Sequence, residues 1–314
     1  MQSPQHIKSR LKSVKNIGQI TKAMEVVSAT KMRKAQEAAL HSRAYAFKAL
    51  ELLETITRVM QNDQAPSTKF QMPLAQSREI KNTLIVVVAS DRGLAGAFNT
   101  QVMRSVEGFL KTDAKSNYQA ILVGKKASSY ISKKGIDVVQ LFTGFGDYAS
   151  PEEVEPLERL VVGGFLEGRW DRVVTVSTHF RSTLKQETLI RQILPLDVGK
   201  ISETVKEIVP ERGRYAGITN DELRMTNGQT EYIFEPSPAE AVSQLLPHLI
   251  KMQLYHLVLE ANASEHSARM VAMKTASDNA VDLSEGLTLQ FNKARQASIT
   301  KEIIEITSTM NALT

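Results

Sequence analysis

The last third of the chain most constrains the fold. Between Leu249 and Ala312 there is no proline, and one glycine, Gly286, interrupts more than sixty residues. As helix, that run extends roughly 95 Å at 1.5 Å per residue, several times the usual globular helix. No ordinary domain is wide enough to cover it, so another long element must lie along it. Ala268, Ala272, Ala276 and Ala280 recur at every fourth position. They are expected to form a smooth ridge where a second backbone comes close.

The first sixty residues supply the candidate. Ser3 and Pro4 read as an N-cap followed by a first-turn proline, and the next proline is Pro66. Apolar or small residues recur at threes and fours through Ile7, Leu11, Val14, Ile17, Ile20, Met24 and Val27, then Ala35, Ala38, Ser42, Tyr45, Ala49, Leu52, Ile56 and Val59. One face kept over about fifteen turns predicts a coiled coil between the two ends of the chain. The plain alternative is two separate amphipathic helices packed on a central domain.

With 314 residues, 42% of them hydrophobic, the chain has enough apolar material for one large domain or two ordinary ones. It has no cysteine, which excludes disulfides, thiolate zinc sites and thiol switches and fits a reducing compartment. There is no apolar segment of signal-peptide type and no run of eighteen apolar residues, so any membrane link is expected to come through partners. The net charge of +5 is uneven. Residues 1–58 hold eleven Lys or Arg against four Asp or Glu, and residues 238–314 hold six against eight. The basic helix either seeks an acidic surface or complements the mildly acidic C-terminal helix.

A polar connector at 61–81, with Pro66 and Pro73, leads into a different texture. Thr83–Ala89 reads as a strand buried on both faces, followed by the loop Ser90-Asp91-Arg92-Gly93-Leu94-Ala95-Gly96-Ala97-Phe98-Asn99 and an amphipathic stretch to about Lys111. Further strands are expected at Tyr118–Val123, Ile136–Leu141, Arg172–Ser177 and Thr188–Leu194, with helices at Lys125–Lys134 and Pro151–Glu167. Alternating strands and helices predict a small α/β layer domain at 82–237 with a largely parallel sheet. Within it, 197–235 reads as a hairpin or extended loop. The last helix, at 238–314, is launched by Pro236 and Pro238, or a turn or two later by Pro247.

No motif here carries catalysis. Gly93 and Gly96 give GxxG rather than GxGxxG, and Gly124-Lys125 is followed by Lys126, so no GxxxxGK[ST] loop exists. A glycine turn explains the loop without a nucleotide. His248, His256 and His266 are eight and ten residues apart, so neighbours differ by about 80° around a helix and share no metal. HExxH and GxSxG are absent, and the carboxylates of the α/β part form no acid–base pair. No cofactor is expected. A nucleic-acid binder would explain the basic rod, but its basic residues are spread around it without an aromatic stacking set. A nucleotide-dependent enzyme would explain the α/β part, but lacks its phosphate loop.

Four motifs carry a resemblance that spans nearly the whole chain. They are Ile20-Thr21-Lys22-Ala23-Met24-Glu25 with Lys31-Met32-Arg33-Lys34-Ala35-Gln36, Ser90-Asp91-Arg92-Gly93-Leu94 with Phe98-Asn99, Ala263-Ser264-Glu265-His266-Ser267-Ala268-Arg269-Met270, and Phe291-Asn292-Lys293-Ala294-Arg295-Gln296-Ala297-Ser298-Ile299-Thr300-Lys301-Glu302. Together they resemble the gamma subunit of F-type ATP synthases.

The resemblance implies a non-catalytic central stalk whose terminal helices form an antiparallel coiled coil inside a hexamer of alpha and beta subunits. The α/β domain would sit below with the epsilon subunit and the membrane rotor ring, and proton flow would turn ring and stalk together. Matched residue by residue, Met24, Arg269, Gln296, Thr300 and Glu302 fall at the family's rotor–stator contacts. The resemblance implies a peripheral place on the cytoplasmic face of a cell membrane; lacking a transit peptide, the chain is expected to be bacterial. Three departures stand out. Ala95 occupies a position that is often cysteine in the family, Thr309-Met310 replace its usual Gly-Ala, and 197–235 is longer than in the shortest members, in a region where some relatives carry a regulatory insertion.

Overall fold

The computed structural model describes residues 3–62, 73–113, 116–145, 149–196, 235 and 237–313. The element order is α1 (Pro4–Asn62), β1 (Asn82–Val88), α2 (Phe98–Thr112), β2 (Asn117–Val123), α3 (Ser128–Lys133), β3 (Asp137–Phe142), α4 (Pro151–Leu166), β4 (Arg172–Phe180), β5 (Gln186–Leu194) and α5 (Pro238–Leu313). The expected helix at Lys125–Lys134 is a 3₁₀ turn, Lys125–Ala127, running into α3. Pro247 lies inside α5 rather than at its start. The expected hairpin or loop at 197–235 falls, apart from Glu235, outside the described residues.

The chain divides into two compact units, one of the residues up to Ala29 with those from Arg269, the other Thr30–Ala268. The second unit is built on a five-stranded sheet of order β3-β2-β1-β4-β5. The first four strands are parallel, and β5 returns antiparallel to β4. A parallel sheet needs crossovers that cover both faces, which is why β1 is an unbroken apolar run rather than an alternating one. On one face Ile85, Val87, Leu122 and Val176 pack with Val102, Met103 and Val106 of α2 and Ile131 of α3. On the other, Leu84, Val86, Ile121 and Val173 pack with Leu157, Val161 and Phe165 of α4 and Leu249, Leu254 and Val258 of α5.

Helix α4 starts where the sequence says it must: Ser150 caps it by accepting from Glu153 N at 3.4 Å, and Pro151 follows in the first turn. Gly164 is required by packing. A Cβ there would sit 2.0 Å from the Trp170 ring, which is buried and donates its indole N–H to Val161 O at 3.0 Å.

Five polar contacts tie together the strand ends after β1. Ser90 N and Oγ donate to Asn99 Oδ1, at 3.1 and 3.0 Å. Asp91 accepts from the backbone N–H of Lys125 at 3.0 Å and of Gly144 at 2.8 Å, and Lys126 N donates to Ser90 O at 3.0 Å. The loop therefore joins β1, β2 and β3 at their C-terminal ends. Left-handed φ falls at Gly96 (54°) and at Leu94 (64°), whose side chain is exposed.

Candidate functional site

The first unit consists of stretches of α1 and α5, and burial along each follows a coiled-coil register. On α1 the covered positions are Ile7, Leu11, Val14, Gly18, Thr21, Glu25 and Ser28, alternating four and three residues apart. On α5 they are Met273, Ser277, Ala280, Ser284, Leu287, Phe291, Ala294 and Ser298. An interval averaging 3.5 keeps one seam facing a partner helix, whereas 3.6 drifts around it. At the tightest point a Cβ added to Gly18 would lie 3.3 Å from Ala280 Cβ.

This register corrects two sequence expectations. The ridge Ala268, Ala272, Ala276 and Ala280 is not the seam: only Ala280 is fully buried, and the first three are half-buried. Each step of four residues turns about 400°, so a four-residue repeat rotates away from any straight partner by about 40° per step. The second correction concerns α1. Ile17, Ile20 and Val27 are not core: they are 54%, 59% and 53% exposed, with half-buried Met24 between them. The seam one position along runs through Gly18, Thr21, Glu25 and Ser28 instead. Its hydroxyls are satisfied within the helix, Thr21 Oγ1 donating to Ile17 O and Gly18 O at 3.0 Å and Ser28 Oγ to Met24 O at 2.7 Å. The middle of the seam is thus lined with small residues, with Ile7, Leu11, Val14, Met273, Leu287 and Phe291 filling the rest of it, while Ile17, Ile20, Val26 and Val27 stand exposed among the polar residues outside.

The candidate contact residues are not brought together. Met24 lies on the apolar outer stripe of α1. Arg269 is buried, 6% exposed, where the resemblance suggested a surface contact. Gln296 and Thr300 are exposed and share a face, with Thr300 Oγ1 donating to Gln296 O at 2.9 Å. Glu302 is exposed, stands about 200° around the helix from Thr300, and accepts from Ser298 Oγ at 3.3 Å. Beyond Ser298 every residue of α5 through Asn311 is exposed, including Ile299, Ile303, Ile304, Ile306 and Met310.

Within the second unit lies a polar cluster that sequence reasoning missed. Glu260 of α5 is buried, and its Oε1 meets His179 Nδ1 of β4 at 2.9 Å and His256 Nε2 at 3.2 Å. Its Oε2 lies 3.6 Å from Arg191 Nη1 of β5, and His256 Nδ1 faces Ser42 Oγ of α1 at 3.5 Å. Burial by itself raises the Glu260 pKa. The attraction of His256 and the hydrogen bonds of both imidazoles outweigh it and hold the carboxyl well below the usual carboxylate range. Comparing histidines only along one helix could not find this cluster, because His179 arrives from a strand. The i, i+4 pair His256 and Glu260 was the available signal. Among the described residues no group of His, Cys, Asp or Glu is arranged to hold a metal ion.

One unit of two paired long helices, with Ile17, Ile20 and Val27 exposed on it, and a second unit built on a largely parallel α/β sheet define the class: a protein that combines a helical rod with an α/β domain. The chain belongs to the ATP synthase gamma-chain family. The family profile described as ATP synthase matches residues 3–313. The ATP synthase gamma chain of Opitutus terrae is 40% identical over 306 residues, covering 98% of this chain and 97% of that one. That of Roseiflexus castenholzii is 37% identical over 315 residues, covering 100% and 99%. Among solved structures, a chain of the Euglena gracilis mitochondrial ATP synthase, OSCP/F1/c-ring, matches with TM-score 0.61 and 21% identity over 99% of this chain and 94% of that one. A chain of the Tetrahymena thermophila central stalk/c-ring matches at 0.57 and 22%, covering 82% and 99%. At these identities the structural likeness speaks for the fold. As a gamma chain, the protein is the central shaft of the synthase and is not itself catalytic.

Proposed function

We propose that this shaft couples proton flow through a membrane rotor ring to the catalytic sites of the beta subunits. In this reading residues 1–60 and 238–314 form an antiparallel coiled coil inside the hexamer of alpha and beta subunits. Residues 82–237, joined through the connector at 61–81, form the body that meets the epsilon subunit and the ring. The complex sits peripherally at the cytoplasmic face of a bacterial membrane. No helix among the described residues is long and apolar enough to cross a membrane, which supports a membrane link made through partners.

The observation that carries the reading is a rod whose middle has a seam of small residues and apolar side chains on its outside. A seam of Gly18, Thr21, Ser28, Ser277 and Ala280 brings two backbones close, which makes the pair stiff because few rotamers remain to yield. Ile17, Ile20 and Val27, and Val281, Leu283 and Leu289 on α5, are exposed. Apolar side chains in that number on a narrow rod call for surrounding protein. Their contacts are short-ranged and non-directional, so a sleeve can hold the rod without fixing its angle. Met24, Gln296, Thr300 and Glu302 supply the polar and shaped contacts that distinguish one angle from the next. Arg269, being buried, acts by holding the rod's own geometry.

The test is reconstitution with separately purified alpha and beta subunits, following ATP hydrolysis and assembly mass. One copy of this chain per complex and hydrolysis that depends on it are expected. Full hydrolysis by alpha and beta without this chain, or no complex with cognate partners, would overturn the reading.

A further inference from the structure

Four positions on one face of α5, His256, Glu260, Ser264 and Ser267, are spaced four, four and three residues apart and are all buried. Each makes a polar contact to another element of the same unit. His256 faces Ser42 of α1. Glu260 takes His179 of β4 and Arg191 of β5. Ser264 Oγ donates to Thr178 O at 3.3 Å, and Ser267 Oγ donates to Thr183 O at 2.7 Å in the β4–β5 hairpin. Gln186 Nε2 donates back to Ser267 Oγ at 3.3 Å and to Thr183 O at 2.8 Å. An apolar face would have packed α5 on the sheet without burying these polar groups. The polar choice adds direction.

We propose that this seam is the torque-bearing link between the α/β body and α5, and that Glu260, Ser264 and Ser267 are positioning residues for rotation. The proposal rests on the shaft role of the chain. Apolar contacts are non-directional and tolerate a small turn of a helix about its axis. Hydrogen bonds do not. Side-chain tips stand about 5–6 Å from a helix axis, so a rotation of about 20° moves them by about 2 Å, enough to break a bond of normal length. Under load the seam resists before the apolar core does. The residues of the seam belong to the same helix, Pro238–Leu313, as the exposed C-terminal stretch.

The experiment uses the complex with alpha and beta subunits, fixed through beta, with a bead on the body through Ser132→Cys. Ser132 is exposed and the chain has no cysteine of its own. The readout is the variance of the bead angle during catalytic pauses. The pair Ser264→Ala and Ser267→Ala is expected to widen this variance by about 1.5-fold or more, with unloaded hydrolysis unchanged, since two directional restraints are gone. Glu260→Gln is expected to widen it further. Leu184→Ala, at the exposed hairpin tip, should leave it unchanged. Unchanged variance in the serine pair, with hydrolysis intact, overturns the proposal, as does equal broadening in Leu184→Ala. If Glu260→Gln fails to assemble, the serine pair decides. Loss of chain-dependent hydrolysis in the unaltered complex would instead count against the shaft reading.

Discussion

Removing the apolar stripe from the outside of α1 separates assembly from folding. Ile17 and Ile20 are 54% and 59% exposed, so Ile17→Ser with Ile20→Ser takes little from the chain's own packing. Isoleucine and serine also have similar helix propensities. Fully burying an isoleucine is worth about 1.5–3 kcal/mol, so covering the exposed half or more of each inside a sleeve contributes about 1–2 kcal/mol per residue. The double variant should therefore weaken assembly by about 2–4 kcal/mol, or roughly 30- to 700-fold in the concentration needed for half-maximal hydrolysis. Thermal melts of the isolated chain should hardly change. The assay is a titration of alpha and beta subunits with each variant, reading ATP hydrolysis. A half-saturation point unchanged by the double substitution would show that the stripe is not covered in the complex and refute the sleeve argument. The reverse control is Gly18→Leu on the seam. With Ala280 Cβ 3.3 Å from a first added carbon, the larger side chain must part the helices, costing about 1–3 kcal/mol of the chain's own stability.

Three other outcomes follow from single sites. Gly164→Ala places a methyl 2.0 Å from the Trp170 ring and must displace an indole bonded to Val161 O; overpacking and the lost bond should cost about 2–4 kcal/mol in urea unfolding. Burial raises the Glu158 carboxyl, with Lys251 opposing. A raised acid destabilises the folded state as pH climbs through its folded value and costs nothing below the unfolded value of about 4.3. Glu158→Gln should thus be more stable than the parent at pH 7, and melts near pH 4 should show that gain gone. Arg269→Ala should impair coupled synthesis more than it unfolds the chain. Because Arg269 is buried, complex abundance must be measured alongside, and a fall in synthesis fully matched by a fall in abundance would assign Arg269 a structural role alone.

Much of the architecture is written locally. The absence of proline between Leu249 and Ala312 permits a long helix, since no residue in that run lacks the backbone N–H of the hydrogen-bond ladder. The β-branched Thr83–Ala89 run specifies a strand covered on both faces, and Ser150-Pro151 specifies the start of α4. Motifs read in order identify the family. What the sequence by itself could not determine is which stripe of α1 turns inward. Ile17, Ile20, Met24 and Val27 look like a core because they are apolar, yet Gly18, Thr21 and Ser28 occupy the seam. That choice belongs to the second helix: where Gly18 meets Ala280 the two backbones approach closely and need small residues between them, and the neighbouring large apolar residues Ile17, Ile20 and Val27 go outside. The Glu260 cluster was hidden for a related reason. Its members come from α1, β4, β5 and α5, over 200 residues apart in the chain from Ser42 to His256, and only the tertiary structure brings a strand histidine to a helix carboxylate.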